Sequence, residues 1–548
     1  MTDNDLHRDV KKLVDDVLNG RVNRRQLLQR AAALGITVPG ILMMRAVPEV
    51  TAQAATPENT AKPGGKLVAI IVDDPNSLDI QVTQLNQCRE TLNSIYETLT
   101  LFDAKDGQVK SLLAKDWSFP EPTVLEMNLQ PNVKFHNGED FTADDVKFSI
   151  ERIQNPDTAS PNASIISSIK SVEVAEPLKV RFHLNSPWPA LVSDLTTIQM
   201  YSKTATQDQI TTKPNGTGPF MWVEWVPGDH ISYKKNPNYW RQGLPYLDEI
   251  EFRPITEQET RTATIEAGDA DVMFSPALKD MADFKSNPDL AAVEAVVNDL
   301  GYGIYLNNSR APMSDQNIRL ASSYALDRDS YFQSPTIAGG GTPNPSPWGK
   351  THWAYNPIND TAFPFDLDKA KSLLEASGYV DGKKDGTQLS INFVYPAGFP
   401  ELKDGAVLFQ DAMSQLGVDV KVEELELATW IQRIVTTPEY DMSWDYISGR
   451  SVDPAWTLSL AFFYPPGPQN ISRYKDDQIS QLIAAGGSEL DQEKRKETYF
   501  KFQERWNEIS PGIVAGDFVL YHVTRADVKG FYTHPLLFQD FSTVWLDR

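Results

Sequence analysis

The chain has 548 residues, 41% of them apolar and 23% charged, and a formal net charge of −23. That length exceeds one ordinary domain and provides enough apolar residues for a packed core. The acidic balance argues against nucleic-acid or anionic-membrane partners, because both require a basic face.

Residues 1–54 read as a targeting segment. "NRRQLLQ" carries the pair Arg24 and Arg25, "AAALGITVPGILMM" (31–44) is apolar, and Ala52-Gln53-Ala54 is a small-x-small cleavage signal. Fourteen residues are too few to span a bilayer, which needs about 20. Asn23, Leu27 and Gln29 depart from the commoner twin-arginine residues, which leaves the general secretory route open. The first 54 residues hold eight Lys/Arg and six Asp/Glu, so the remainder carries −25. Cys88 is the single cysteine: it has no partner for an internal disulfide and lies far from the cleavage site. An exported, periplasmic, soluble and unanchored protein is expected.

Beyond residue 54, helix and strand patterns alternate. "KLVAIIVD" (66–73) reads as a buried strand, and "LKVRFHL" places Leu178, Val180, Phe182 and Leu184 on one face. "TADDVKFSIERI" opens with Thr142 and Asp145 at capping-box spacing, followed by Val146, Ile150 and Ile153 at helical spacing. "DLDKAKSLLEASG" is a second helix, capped by Asp366, with Ala370, Leu373 and Leu374 inward and Gly378 as its stop. Strand 389–395, helix 401–416, strand 418–425 and a helix containing Trp430 follow. Such alternation predicts α/β lobes with mixed sheets.

An enzyme needs a constellation of reactive groups, and none is found. H-E-x-x-H, G-x-S-x-G, P-loop and G-x-G-x-x-G motifs are missing. The histidines at 7, 136, 183, 230, 352, 522 and 534 form no i, i+4 pair, so no histidine-rich metal site is expected. Aromatics are abundant, with pairs at Trp222/Trp225, Tyr239/Trp240 and Trp444/Tyr446. They suit either ring stacking in a cleft or core packing.

Eight segments in order carry a resemblance: "NSLDI…IYETLTLFD", "LAKDWSF", "VKFHNGEDFTADDVKFS", "PNGTGPF", "YKKNPNYW", "IYLNNSRAPMSDQNIRLASSYALDRD", "DLDKAKSLLEASGY" and "EYD…DP". Together they cover about residues 66 to 540, and the chain resembles the large solute-binding proteins of ATP-driven (ABC) importers, the oligopeptide/dipeptide/nickel type. The resemblance implies an α/β, two-lobed periplasmic binding protein fold with mixed sheets, two hinge strands and an extra small domain inserted in lobe one. The implied boundaries are 55–305 for lobe one, with the inserted domain at about 80–205, then 306–515 for lobe two, and 516–548 returning to lobe one. Crossing points are expected near 301–308 and 512–523. The implied partners are a solute held between the lobes and the ABC permease. No cofactor, metal or catalysis is implied, and a monomer is expected.

The stretch "YDMSWDYISGRSVDP" (440–454) bears on the ligand. In the peptide-binding members a Gly-Trp pair and then an aspartate precede the proline, and that acid receives the peptide ammonium. Counting without a gap, Tyr446 and Ile447 hold the Gly-Trp positions and Arg450 holds that of the acid. Like charges in a water-poor cleft repel, whereas a guanidinium suits carboxylate, phosphate or sugar hydroxyls. An oligosaccharide, an opine-like conjugate or another anionic solute is therefore expected ahead of a conventional oligopeptide or a nickel complex. An exported hydrolase on a similar scaffold is the alternative from another class. Strand alternation puts Trp444, Tyr446 and Arg450 on one face, and the resemblance implies a cleft tryptophan at Trp430. Asn86, Gln87 and Asp453 complete the candidate ligand-binding set. In a competing arrangement Arg450 turns away and pairs with Asp445 or Asp453. Gly216 and Gly218 are read as turn formers and His136 as a loop hydrogen-bonder.

Overall fold

The apolar run after residue 65 becomes strand β1 (Lys66–Ile71), and helix α1 (Asn86–Leu92) follows. The structure, a computed structural model, describes residues 61–83, 85–446, 452–455 and 470–548, and of 296–300 the backbone path alone. No helix among the described residues is long and apolar enough to cross a membrane.

A four-stranded antiparallel sheet comes next in the chain. Its strands are β2 (Ala114–Glu121), β3 (Val124–Leu129), β4 (Ile169–Glu176) and β5 (Lys179–Leu184), in the order β2-β3-β5-β4. Helix α2 (Ala143–Gln154) packs on it, with the Thr142 N–H donating to Asp145 Oδ2 at 2.8 Å in a capping box. Val146, Ile150 and Ile153 join Leu125, Met127, Val180 and Phe182 in a core of this sheet's own. Leu178, expected on the inward face, sits instead in the turn before β5 and is exposed.

Most of the other strands build one eleven-stranded mixed sheet, with short two-stranded ribbons beside it. Strands β6 (Phe220–Val226), β7 (His230–Lys235), β8 (Glu249–Pro254) and β9 (Val272–Phe274) lie with β1 at one end. Strand β10 (Leu290–Leu306) leads to the other end, made by β11 (Ser390–Pro396), β12 (Asp419–Leu425) and β13 (Met442–Tyr446). Strand β14 (Gly512–Arg525) returns. The order is β12-β11-β13-β10-β14-β9-β1-β8-β7-β6, and Gly341–Pro343 pairs β14 off this path.

Strands β10 and β14 join the two halves. β14 pairs β9 through residues 522–524, while β10 pairs β13 through residues 302–306. The two run antiparallel to each other, with register shifts near Gly301 and Gly303. A Cβ on Gly301 would collide with the Gly516 carbonyl, so the backbones approach there more closely than any side chain allows.

In the second half, helix α3 (Leu367–Ala376) is capped by Asp366, which accepts from the Lys369 N–H, and Gly378 follows it at φ +88°. Helix α4 (Pro400–Ser414) covers one face of β11 and β13 and the short α5 (Leu427–Ile431) lies against the other. Helices α6 (Asp477–Ser488) and α7 (Gln492–Ile509) pack as a pair beside them.

Candidate ligand-binding cleft

A cavity of about 470 Å³ lies between the four-stranded sheet and the α6–α7 side of the second half. Trp117 and Phe119 of β2, with Phe102 and Val109 from the preceding hairpin, form one wall. Trp353, Asp453, Leu490 and Arg495 form the facing wall. Trp117 and Phe119 stand two residues apart on one strand, so the pleat turns both rings to the same side.

Asp453 and Arg495 dominate the second wall and are both buried. The guanidinium donates from one terminal nitrogen to Asp453 Oδ1 at 2.6 Å and from the other to Oδ2 at 2.9 Å. Its Nε donates to the Gly486 carbonyl at 2.7 Å, and its carbon lies 5.2 Å from the Trp353 ring centroid. Burial alone would weaken the charge on Arg495, but the Asp453 carboxylate raises its pKa above the ordinary value. Such a two-pronged pair, removed from water, neutralises both charges in place. His352 adds none: burial lowers it to about 4, its Nε2 faces the Val452 carbonyl and its Nδ1 accepts from the Ala354 N–H.

Of the residues singled out from the sequence, Asp453 lines this cavity. Arg450 lies outside the described residues, two positions before Val452, another lining residue. Trp430 is 7% exposed and donates its indole N–H to Ser443 Oγ at 3.0 Å within a cluster with Tyr305, Val394 and Ile434. Trp444 is fully buried, near-parallel to Phe393 at 5.9 Å and 4.9 Å from Tyr331. A Cβ on Gly405 of α4 would stand 2.5 Å from its ring, so this glycine makes room for the indole.

Tyr446 faces the same side as Trp444, as alternation requires, and packs on Tyr302, Phe399 and Phe518. Its hydroxyl donates to Glu401, whose carboxyl burial holds above the usual range. Asp445, on the opposite face, is pushed up to about 8 by burial. Asn86 is exposed and Gln87 half-buried on α1, and neither lines the cavity. Trp430 and Trp444 thus sit in the core and not on the cavity wall, because both faces of β13 are covered.

Apart from Asp453, the residues that form the walls were not picked out from sequence. The only signal for Trp117 and Phe119 is the alternation in "DWSFP", which any half-buried strand shows. Arg495 meets Asp453 across 42 positions, beyond any local pattern. Among the described residues no group of three or more His, Cys, Asp or Glu could hold a metal ion.

Away from the cleft, the signature segments have structural work. His136 Nε2 donates to the Gly218 carbonyl at 3.0 Å and Nδ1 accepts from the Gly216 N–H at 3.3 Å. A Cβ on Gly218 would reach within 2.5 Å of the Ile95 carbonyl, and one on Gly216 would collide with it. Tyr239 and Trp240 donate to the buried Glu97 at 2.8 and 2.9 Å, joined by Thr217 at 2.8 Å.

Two halves joined by two crossing strands, with a walled cavity between, define a two-lobed solute-binding fold. Residues 108–468 match the family of bacterial extracellular solute-binding proteins, family 5, middle region, and the chain belongs to this family. It is 26% identical to the glutathione-binding protein GsiB of Pectobacterium atrosepticum over 81% of this chain and 86% of that one. Heme-binding protein A of Haemophilus influenzae is 27% identical over 83% of this chain and 87% of that one. The structure of HbpA2 from Haemophilus parasuis superposes with a TM-score of 0.79 at 25% identity, covering 88% of this chain and all of that one. The family consists of substrate-binding components of ABC importers, not enzymes.

Proposed function

We propose that the chain captures a solute in the cavity between the lobes, closes on it by bending at β10 and β14, and presents the closed form to a membrane permease. The solute is not a peptide held by its free amine. An oligosaccharide, an opine-like conjugate or another anionic solute fits better. The observation that carries this is the Asp453–Arg495 pair. Asp106, the other described lining carboxylate, is exposed at the rim and paired with Lys110 at 2.6 Å, so the buried acid of the cavity is the one that Arg495 occupies. Arg450 in the position of the acid points the same way.

Calorimetry with pairs of di- and tripeptides, free and N-acetylated, tests this, with small-angle scattering on the same samples. Acetylation is expected to change affinity by less than about threefold, since no acid grips the amine. A free-amine peptide that binds tightly, compacts the protein and loses roughly a hundredfold on acetylation restores the peptide reading.

The same proposal places the working protein outside the cytoplasm, exported through residues 1–54. Replacing Arg24 and Arg25 with Lys is expected to leave precursor in the cytoplasm, seen by fractionation. Undiminished export removes the twin-arginine route.

A further inference from the structure

The chemistry of the cavity walls narrows the ligand further, on the assumption that the solute binds between the lobes. The charged groups on both walls are already engaged: Arg495 with Asp453, and Asp106 with Lys110. Four of the neutral ones are not. Gln108, Ser118, Ser193 and Gln492 line the cavity, and their side chains make no hydrogen bond to another described residue. Trp117 and Phe119 are half-buried against the core of their sheet and have no aromatic partner among the described residues, which leaves ring surface toward the cavity. The Trp117 indole N–H is likewise without a protein acceptor among them.

Open ring faces, uncharged donors and acceptors, and neutralised ions suit one kind of ligand group. Among the described lining residues, a charged terminus would find no free counter-ion to offset its lost hydration. A purely apolar group would strip water from the amides and hydroxyls without replacing it. A hexose ring does neither: its C–H face lies on an aromatic ring and its edge hydroxyls both donate and accept. We propose that this cavity takes a neutral hexose ring, stacked on Trp117 and Phe119 and hydrogen-bonded by neutral side chains such as Gln108, Ser193 and Gln492.

The test titrates the full chain with neutral gluco-, galacto- and manno-oligosaccharides of two to four rings, with glutathione, and with an aromatic dipeptide. Calorimetry gives affinity and small-angle scattering gives compaction. At least one oligosaccharide is expected to bind with compaction. Trp117→Ala is expected to weaken it roughly tenfold or more, and Trp117→Phe, which keeps a ring, by only a few-fold. Trp117→Phe decides the matter if Trp117→Ala proves unstable, since full loss there implicates the indole and no loss in either leaves no stacked ring. Glutathione or the dipeptide binding with compaction while no oligosaccharide binds overturns the hexose proposal and leaves solute capture intact. Oligosaccharide binding with no compaction and no response to either variant contradicts capture between the lobes as well. Binding of none of the probes overturns the hexose proposal.

Discussion

Trp444 and Trp117 stand on strands that look alike on paper, yet one ring is sealed and the other is open. Trp444 belongs to β13, in the interior of an eleven-stranded sheet, where α4 covers one face and α5 and its neighbours cover the other. Trp117 belongs to β2, at the edge of a four-stranded sheet. A strand covered on both faces leaves its rings no access to a ligand, whereas Trp117 is only partly covered by the core of its sheet. Position in the sheet, and not the residue type, decides which aromatic can stack on a solute.

The largest effect expected from this contrast is on stability. Trp444→Ala leaves a hole between Phe393, Tyr331 and Gly405 and should cost about 3 to 5 kcal/mol in urea unfolding. Trp430→Ala should behave alike, because its indole N–H already serves Ser443. Full stability with lost affinity in either variant would return that ring to the ligand and break the contrast.

Regular elements were legible because their signals are local. The capping box at Thr142 and Asp145, the Asp366 cap and the Gly378 stop each depend on residues within one or two turns. The inward sharing of Trp444 and Tyr446 was legible for the same reason, since alternation is a property of one strand. Which cover lies over that face was not, because Gly405 and Phe393 reach Trp444 from far along the chain. The cavity was illegible in the same sense: Trp117 meets Arg495 across a space that only the assembled lobes create.

Tyr239 and Trp240 sharpen the rule, being aromatics whose polar ends are engaged by a buried carboxylate. Burial raises Glu97 from its ordinary 4.5 to about 7, against three hydrogen bonds that favour the anion. A raised folded pKa means the native state binds the proton more tightly. This contribution to stability is complete below about pH 4.5 and is lost as pH rises through 7. Glu97→Gln keeps an acceptor for Thr217 and Trp240, and the Tyr239 hydroxyl can rotate to accept from the new amide. Relative to the variant, the native chain should lose about 2 to 3 kcal/mol between pH 5 and 8. Melting temperatures of both proteins across that range measure the difference, which cancels the opposing slope from the buried histidines. Parallel curves would show that Glu97 does not titrate there.

Trp188 represents a third situation, an aromatic between lobes, and its effect should be the smallest on stability. Its indole N–H donates to Asp194 Oδ2 at 2.8 Å, which fixes the ring on the four-stranded-sheet side. From there it lies over Gly487 of α6, where a Cβ would stand 3.2 Å from the ring. Gly487→Ala therefore sets two small terms against each other. It gains roughly 1 kcal/mol of helix propensity and crowds a contact with little slack. Gly487→Leu removes the ambiguity, since its side chain cannot share the space with Trp188. Unfolding stability should stay within about 1 kcal/mol, because the substitution sits at the seam and not in either core. If this contact forms on closure, compaction on ligand binding should diminish and affinity fall by a few-fold. Small-angle scattering of Gly487→Leu, with and without a solute that binds the native chain, reads this directly. Undiminished compaction would mean that the lobes close without seating Trp188 on α6, and that its neighbourhood with Gly487 carries no part of the closure.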